Sequence, residues 1–280
     1  MNCEVTQAQI DSYQENGFVV FDDFLTPDEL ETWRTAVDEA VENRKDQKLV
    51  VEGGSDEEDD RWKAGDSYYD YVFVQRLNLW KDSPAVRKLI LDPRIGRMAA
   101  LLSGTEGMRV WHDQALIKQP WANPTAWHLD NPYWSFYSRN STSIWVALDD
   151  ATYQNGCLYF LGGSHKKTTY DNVGITENMA DIFRVYPDFV NLPSMAAPMK
   201  AGSCSFHNAL LVHGAGANMT GGWRRAMTCG FMPYGSTFNG NQNILSDEQF
   251  ASYELGDVLD DDNQNPVVWH RNPELITAKP

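Results

Sequence analysis

The sequence predicts a mainly β protein with flanking helices, in which the strands form a jelly roll or a related antiparallel barrel. Three observations predict this fold: helix signals come first, many short apolar segments follow, and these segments do not alternate with helices as they would in a parallel sheet. The 280 residues are enough for one large domain with a buried core. We expect a single domain over residues 1–280, with a helical part over about 1–105, a jelly-roll core over about 106–235 and a C-terminal extension over about 236–280.

Helix signals open the chain. Two pairs of residues have the spacing of a capping box, in which a threonine and a glutamine or glutamate three residues later cap one helix terminus. The pairs are Thr6 with Gln9 and Thr26 with Glu29. They predict helices that begin near residues 7 and 27. Gly17 is expected to end the first helix, with the strand FVVFDDF after it, and Ser83-Pro84 and Asp92-Pro93 predict two further helix starts.

Short apolar segments broken by turn residues follow these helices. The strand candidates are RVWHDQALIK, TAWHLD, TSIWVALDD, CLYFLGG, SCSFHNALLVHG and RRAMTCGFM. Asn155-Gly156 predicts a turn between the third and the fourth of them. The glycine-rich segment HGAGANMTGG is expected to form the hairpin that joins the last two. Two acidic runs, at 55–60 and 257–262, lack the glycine and terminal glutamate of an EF-hand loop and are expected to be solvated loops.

The charge of the chain excludes some classes of partner. The formal net charge is -16 at pH 7, so the protein would gain nothing from binding nucleic acid phosphates or an anionic membrane surface. The N-terminal residues lack the basic and apolar regions of a signal peptide, so a cytoplasmic location is expected. The four cysteines form no CxxC pair and are expected to be reduced. We expect a small-molecule partner, and a monomer or a homodimer.

Two segments contain the residue types of a non-haem iron site. His128 and Asp130 are two residues apart in a strand-like segment, and strand alternation would place both on one face. Alone, this pair is a weak signal, and a surface His-Asp pair is the alternative. His213 ends a later apolar strand and Arg224 opens the next one. Two histidines and one carboxylate can hold iron and leave positions for a 2-oxo acid and O2, while an arginine fork suits the far carboxylate of that acid.

Other histidines fit a metal site less well. His112 and Asp113 are adjacent, so a strand would point them to opposite faces. His207 and His213 are six residues apart, which is roughly 20 Å along one strand at about 3.3 Å per residue. His165, in a GGSH segment, is expected to be a structural hydrogen-bonding residue. These histidines are therefore not expected to be ligands.

With these residues in view, the chain resembles the phytanoyl-CoA dioxygenase family of iron(II)- and 2-oxoglutarate-dependent oxygenases. The resemblance lies in DQALIKQP, WHLDNPYW, NGCLYFLGGSHK and HGAGANMTGGWRR. It implies a double-stranded β-helix of the cupin-like type, with iron ligands at His128, Asp130 and His213. It also implies that Arg224, eleven residues after the last ligand, binds 2-oxoglutarate. The expected cofactors are Fe(II), 2-oxoglutarate and O2, and the expected reaction hydroxylates a small organic metabolite with release of succinate and CO2.

Further site residues follow from the resemblance and from strand alternation. The family's cosubstrate-binding tryptophan and a serine used by ectoine hydroxylases fall on Trp145 and Ser143, which share a strand face. Gln114 and Lys118 share a face of the strand before the metal segment; Gln114 is assigned to the cosubstrate and Lys118 to the substrate. The remaining substrate-binding candidates are Tyr133, Trp134, Tyr137, Asn78 and Arg139.

Two other functions stay open on the sequence. A cupin-type metal enzyme would need neither a 2-oxo acid nor an arginine at the position of Arg224. A jelly-roll binding protein with a vestigial metal site would bind metal without turnover. For an oxygenase, a small neutral, zwitterionic or cationic substrate is expected, because the phosphates of a CoA thioester usually call for a cluster of lysine and arginine, which is not found.

Overall fold

The helices begin and end where the local signals place them. In the computed structural model, which describes residues 1–44, 68–171 and 173–280, both predicted capping boxes are present. Gly17 ends the first helix with a left-handed backbone (φ 84°), which glycine adopts without the strain of a side chain. The helices are α1 Gln7–Asn16, α2 Pro27–Asn43, α3 Leu79–Asp82, α4 Pro84–Ile90, α5 Pro93–Ser103, α6 Ile182–Val185 and α7 Asp247–Ser252.

The strands form two antiparallel sheets. They are β1 Phe18–Phe21, β2 Val74–Leu77, β3 Gly107–Lys118, β4 Thr125–His128, β5 Thr142–Ala147, β6 Leu158–Leu161, β7 Ser194–Ala197, β8 Cys204–Asn208, β9 His213–Ala215, β10 Arg224–Pro233 and β11 Val267–His270. In the described part of the chain, the larger sheet has the order β1-β8-β5-β10-β3-β11, with β2 also paired to β3. The smaller sheet has the order β4-β9-β6-β7. This sheet-rich architecture with flanking helices confirms the predicted fold class.

Strand alternation divides the larger sheet into a helix-covered face and an inner face. Along β10, Met227, Cys229 and Phe231 are buried in the cluster that also contains the helix residues Trp33 and Ile95. Burying a large apolar side chain of this kind stabilises the fold by roughly 1.5–3 kcal/mol, so this layer holds the helices against the sheet. The alternate residues of β10 face the smaller sheet, and the candidate site lies between the two sheets.

Two strand predictions near the end of the barrel are wrong. The segment SCSFHNALLVHG forms two strands, β8 and β9, which belong to different sheets. A turn separates them, in which the N–H of Leu211 donates to the carbonyl of Asn208 at 2.8 Å. The segment HGAGANMTGG is not a hairpin, because β9 pairs with β4 and β6 whereas β10 pairs with β3 and β5. It instead crosses from one sheet to the other.

Three short strands were not predicted, and the two acidic runs have different outcomes. Strands β2, β7 and β11 were not among the candidates, and each is only four residues long. The acidic run at 55–60 lies outside the described residues. Asp262, in the second acidic run, pairs with the buried Arg109 at 2.7 Å, so this run is not entirely solvated. None of the described helices is long and apolar enough to cross a membrane.

Candidate active site

Three predicted metal ligands come together between the two sheets. Strands β4 and β9 pair His128 with His213, and their ring centroids are 4.2 Å apart. Asp130 Oδ1 lies 3.8 Å from His128 Nε2 and 3.6 Å from His213 Nε2. One ligand atom from each of the three residues lies within 4.8 Å of the others. This spacing can hold one metal ion with two nitrogen ligands and one oxygen ligand.

A turn, and not the expected strand alternation, places Asp130 beside the two histidines. Strand β4 ends at His128, and Asp130 has helical backbone angles (φ -81°, ψ -52°) at the start of a short 3-10 turn. The backbone N–H groups of Asp130 and Asn131 both donate to the carbonyl of Ala209, at 3.0 Å each. The turn between β8 and β9 therefore holds the chain that carries the carboxylate ligand.

Backbone contacts select the ring nitrogens that can bind a metal. Nδ1 of His128 lies 2.8 Å from the carbonyl of Ala126, and Nδ1 of His213 lies 2.9 Å from the carbonyl of Leu211. Since a carbonyl can only accept, each Nδ1 carries the hydrogen and each Nε2 keeps its lone pair for a metal. Burial lowers the pKa of both histidines to about 4, so both rings are neutral at neutral pH.

The carboxylate of Asp130 is oriented by two further donors. Ser143 Oγ donates to Oδ2 at 3.0 Å, and His207 Nε2 lies 3.3 Å from the same oxygen. Burial acts to raise the pKa of Asp130, but the neighbouring His213 and the hydrogen bond from His207 outweigh it and hold the pKa well below its usual range. The other carboxylate oxygen of Asp130, Oδ1, faces the Nε2 atoms of His128 and His213. In this structure the Ser143 hydroxyl therefore supports the carboxylate, and its predicted contact with the cosubstrate stays a prediction.

His207 lies in the site, so the predicted separation from His213 of roughly 20 Å along one strand is wrong. The two ring centroids are 4.4 Å apart. They are close because the turn after Asn208 brings β9 back across the barrel from β8, so the two residues are not on one strand. The position of His207 could have been predicted from the sequence only if a turn had been predicted within the apolar segment NALLV.

His112 faces the same interior. Gly230 pairs with both Ser143 and His112, so these three residues share one level of the inner face. As predicted, Asp113 points the other way, and its carboxylate accepts the backbone N–H groups of Leu79 and Trp80. His112 is buried, and its Nδ1 has no hydrogen-bond partner among the described residues.

Arg224 is a buried cation with unused donors. It is 2% exposed, and its Nε and Nη1 atoms are buried without a hydrogen-bond partner within the described part of the chain. Its Cζ lies 5.1 Å from the ring centroid of Trp145, which covers one face of the guanidinium. Burial lowers the pKa of Arg224 to about 10, so it stays charged at neutral pH. Such a group is built to receive an anion, because unpaired buried donors are costly.

The neighbouring Arg225 lies on the opposite face, as strand alternation predicts. Its guanidinium donates to both carboxylate oxygens of Asp149, at 2.9 and 2.7 Å, and to Asp38 at 2.6 Å. These hydrogen bonds raise the pKa of Arg225. The two adjacent arginines therefore have different environments, and Arg224 is the one that faces the metal ligands' side of the sheet.

Gln114 lies on the inner face between the levels of Arg224 and Asp130. It pairs with Thr228, which pairs on its other side with Trp145. The amide of Gln75 donates to Gln114 Oε1, and the hydroxyl of Tyr69 donates to Gln75 Oε1 at 3.0 Å. These two bonds orient the Gln114 amide, whose NH2 group donates to none of the described residues.

Lys118 lies beside Arg224, and its predicted contact with the substrate stays a prediction. The two residues are register partners on β3 and β10. Lys118 is fully buried, and its Nζ donates to the carbonyls of Val72 at 3.0 Å and Asn123 at 2.6 Å. Its position is therefore at the Arg224 end of the barrel and not at the level of Asp130.

The aromatic candidates differ in exposure. Trp134 is buried over Gly230, where a Cβ atom would lie only 3.0 Å from the indole ring, and it meets His112 edge to face. The hydroxyl of Tyr133 donates to the carbonyl of Val173 at 2.6 Å. Tyr137 is 47% exposed and stacks on Tyr170 with ring centroids 4.4 Å apart. Trp134 is thus the candidate placed at the level of the metal ligands.

Two polar candidates make contacts with the backbone. The guanidinium of Arg139 donates to the carbonyls of His165 and Thr168, at 3.1 and 2.9 Å, and so holds the loop after β6. Asn78 has a left-handed backbone (φ 53°) between β2 and α3, and its Oδ1 is buried with no partner among the described residues. Neither observation tests a contact with substrate, and both roles stay predictions.

The chain is similar to proteins of one enzyme family. The family model for phytanoyl-CoA dioxygenase (PhyH) matches residues 13–226. The peroxisomal phytanoyl-CoA dioxygenase of Mus musculus is 25% identical over 243 residues, which are 82% of this chain and 69% of that protein. The crystal structure of SnoK, a non-heme alpha ketoglutarate dependent carbocyclase from nogalamycin biosynthesis, is 25% identical with a TM-score of 0.74, covering 94% of this chain and 96% of that one. SnoN, an epimerase from the same biosynthesis, is 25% identical with a TM-score of 0.71, covering 94% and 95%.

Proposed function

The chain belongs to the phytanoyl-CoA dioxygenase family of iron(II)- and 2-oxoglutarate-dependent oxygenases, and we propose that it hydroxylates a small organic metabolite with release of succinate and CO2. One observation carries this proposal beyond the family assignment. The same barrel interior contains the ligand atoms of His128, Asp130 and His213 and the buried guanidinium of Arg224, whose Nε and Nη1 have no partner among the described residues. A metal enzyme that uses no 2-oxo acid would have no need of that guanidinium.

The donor set fits iron(II). Two neutral imidazole nitrogens and one carboxylate oxygen are the ligands of non-haem iron oxygenases, and they leave positions free on the metal. Asp130 would supply the protein's negative charge to the ion. Its Oδ2 is occupied by Ser143 and His207, which leaves Oδ1 as the metal-binding oxygen. His128 and His213 would bind through Nε2, because each Nδ1–H is held by a backbone carbonyl.

The surroundings of Arg224 fit the far carboxylate of 2-oxoglutarate. The Nε and Nη1 atoms, which have no partner among the described residues, are available to donate charge-assisted hydrogen bonds to a carboxylate. Trp145 restrains the guanidinium from one side, so the arginine is held ready before the ligand arrives. Gln114 would contact the ligand between this anchor and the metal ligands, since it lies between their levels on the inner face.

The protein residues position the reactants and exclude water. When bound, iron and 2-oxoglutarate supply the oxidising chemistry, in which 2-oxoglutarate loses CO2 and O2 provides the oxygen atom for the substrate. Arg224 fixes the far end of the 2-oxo acid, and the three ligand residues fix the metal, so the distance between the two anchors sets the orientation of the acid. The buried residues around them keep bulk water from this reaction.

The side chains near the metal ligands on the inner face are neutral, and this supports the proposal that the substrate is a small neutral, zwitterionic or cationic molecule. His112, Trp134 and Gln114 lie on this part of the inner face, and burial lowers the pKa of His112, so it is uncharged at neutral pH. None of these three side chains offers a positive charge to the phosphates of a CoA thioester. The mouse relative is named for phytanoyl-CoA, but at 25% identity the substrate of this chain can differ.

The proposal is tested by reconstituting the protein anaerobically with Fe(II) and 2-oxoglutarate, adding O2, and measuring succinate and product mass over a panel of metabolites. We expect that succinate release needs Fe(II) and increases when one class of metabolite is added. The product formed from that metabolite should be heavier than the metabolite by one oxygen atom. Metal binding without succinate release under any condition would favour a binding protein. Turnover that is independent of 2-oxoglutarate would favour a cupin-type metal enzyme.

A further inference from the structure

Lys118 is a fully buried lysine in a space shaped to hold it. It ends β3 opposite Arg224 in the register of β3 and β10, so both side chains lie on the inner face. Gly156 packs against the lysine stem, and a Cβ atom at Gly156 would lie 2.8 Å from Lys118 Cδ and 2.5 Å from the carbonyl oxygen of Gly216. Gly156 also has a positive φ of 92°, which side chains rarely adopt. Any larger residue at position 156 would therefore displace the lysine.

The contacts of Lys118 leave part of its hydrogen-bonding capacity unused. An ammonium group has three N–H donors. Nζ donates to the carbonyls of Val72 and Asn123, which lie in two loops, and the structure shows no third acceptor among the described residues. Arg224 contributes two further unused donors, at Nε and Nη1. When Lys118 is protonated, the two side chains that pair across adjacent strands thus have at least three N–H donors without an acceptor among the described residues.

The electrostatics of this pair require an anion or the loss of a proton. Burial, followed by the positive charge of Arg224, lowers the pKa of Lys118 to about 6, and no carboxylate of the described residues offsets these effects. Among the described residues, the titratable groups near this end of the barrel include Cys157, Tyr159 and Tyr68, whose hydroxyl donates to the carbonyl of Pro124. Burial raises the pKa of all three, so they are neutral at neutral pH. Asp149 acts on Arg224 only from the outer face, where it is paired with Arg225.

We propose that Lys118 is a second cation of the cosubstrate site and that it binds, together with Arg224, the distal carboxylate of a dicarboxylic 2-oxo acid. This inference rests on the proposed function and extends it, because it assigns selectivity for the second carboxylate to two residues. The lysine is neutral in the free protein at pH 7.5 and takes up a proton when the dianion binds. The hydrogen bonds to Val72 and Asn123 position Nζ, so they support the binding role.

The distal carboxylate can be tested with a pair of ligands that differ only there. With Mn(II) in the metal site, calorimetry would measure binding of 2-oxoglutarate and of 2-oxopentanoate, which has a methyl group in place of the distal carboxylate. In Lys118→Met, we expect 2-oxoglutarate to bind about ten- to a hundredfold more weakly, the range for loss of a hydrogen bond to a charged group. Binding of 2-oxopentanoate should be unchanged. Lys118→Arg should recover part of the loss, and Arg225→Met, on the outer face, should retain the wild-type preference.

Proton uptake gives a second, independent measurement. Titrations at pH 7.5 in two buffers with different ionisation enthalpies report protons taken up per 2-oxoglutarate bound. The pKa of Lys118 is lowered in the free protein and is raised by the bound dianion. At any pH between these two pKa values, binding of 2-oxoglutarate is therefore accompanied by uptake of a proton. Affinity should then fall by about tenfold per pH unit as the pH rises above about 6. Lys118→Met should lose both effects.

The outcomes separate this inference from the function on which it rests. If Lys118 serves only to hold the two loops, Lys118→Met will melt at a lower temperature. Its affinities for 2-oxoglutarate and 2-oxopentanoate will then be unchanged or will fall by the same factor, so the ratio of the two affinities will equal that of the wild type. That result, or wild-type binding with no proton uptake, overturns the inference while 2-oxoglutarate binding stands. If the wild-type protein with Mn(II) binds no 2-oxoglutarate, the proposed function fails first. Should Lys118→Met not fold, the same comparison is made with Lys118→Gln, which keeps donors but has no charge.

Discussion

Arg224 and Arg225 are adjacent in sequence but face opposite sides of β10, and replacing each with methionine should give opposite results. Arg224→Met removes a buried guanidinium whose Nε and Nη1 have no partner in the described part of the chain, whereas Arg225→Met removes one that is paired with Asp149 and Asp38. Methionine keeps an apolar stem of similar length in both cases. We expect Arg224→Met to weaken 2-oxoglutarate binding without destabilising the free protein, and Arg225→Met to do the reverse.

The magnitudes follow from the two environments. Loss of one partner of a buried charge pair costs roughly 3–5 kcal/mol, so the affinity of Arg224→Met for 2-oxoglutarate should fall by about a hundredfold to a few thousandfold. An unsatisfied buried polar group costs about 1–3 kcal/mol, so the free energy of unfolding of the ligand-free Arg224 variant should stay equal or rise by up to about that amount. Arg225 is 27% exposed, and loss of its ion pairs should lower the free energy of unfolding by about 1–2 kcal/mol.

Calorimetric titration with 2-oxoglutarate and thermal unfolding without ligand measure the two quantities on the same samples. For a chain of this size, 1 kcal/mol corresponds to about 2 °C in the midpoint of unfolding. Iron affinity serves as a control and should not change in either variant. An equal or larger loss of 2-oxoglutarate affinity in Arg225→Met would refute the assigned register of β10 and with it the cosubstrate site.

Three further predictions concern the metal and the substrate. His128→Ala, Asp130→Ala and His213→Ala should each abolish Fe(II)-dependent succinate release, and full activity in any of these variants would contradict the ligand assignment. His207→Phe should weaken Co(II) binding by about 10- to 100-fold, because Asp130 loses a donor that orients it, while His207→Gln should recover part of the affinity; equal affinity in both variants and wild type would exclude a positioning role. Gly230→Ala places a Cβ atom 3.0 Å from the Trp134 ring, so it should change the ranking of substrates in product assays while the affinity for 2-oxoglutarate changes by less than about twofold; the opposite pattern would put Trp134 on the cosubstrate side.

Local signals in the sequence were sufficient for much of the fold. The capping boxes at Thr6 and Thr26 and the left-handed Gly17 depend on residues within one helical turn, and all three are present in the structure. The opposite orientation of Arg224 and Arg225 depends only on alternation along one strand. The predicted hairpin after His213 failed, because strand pairing partners are chosen by burial of whole faces, which a short segment does not reveal.

The sequence by itself identified the candidate side chains for the metal and the 2-oxo acid, because that chemistry needs particular residue types and the motifs at His128, Asp130, His213 and Arg224 contain them in order. Only the tertiary structure decided which other residues join them. It brought His207 to Asp130 by a turn between two sheets, and it placed Lys118 beside Arg224 by pairing β3 with β10. Both residues are distant in sequence from the residues beside which they lie. Their positions depend on the register of strands that meet only when the barrel closes, and that register is set by the packing of both sheet faces together.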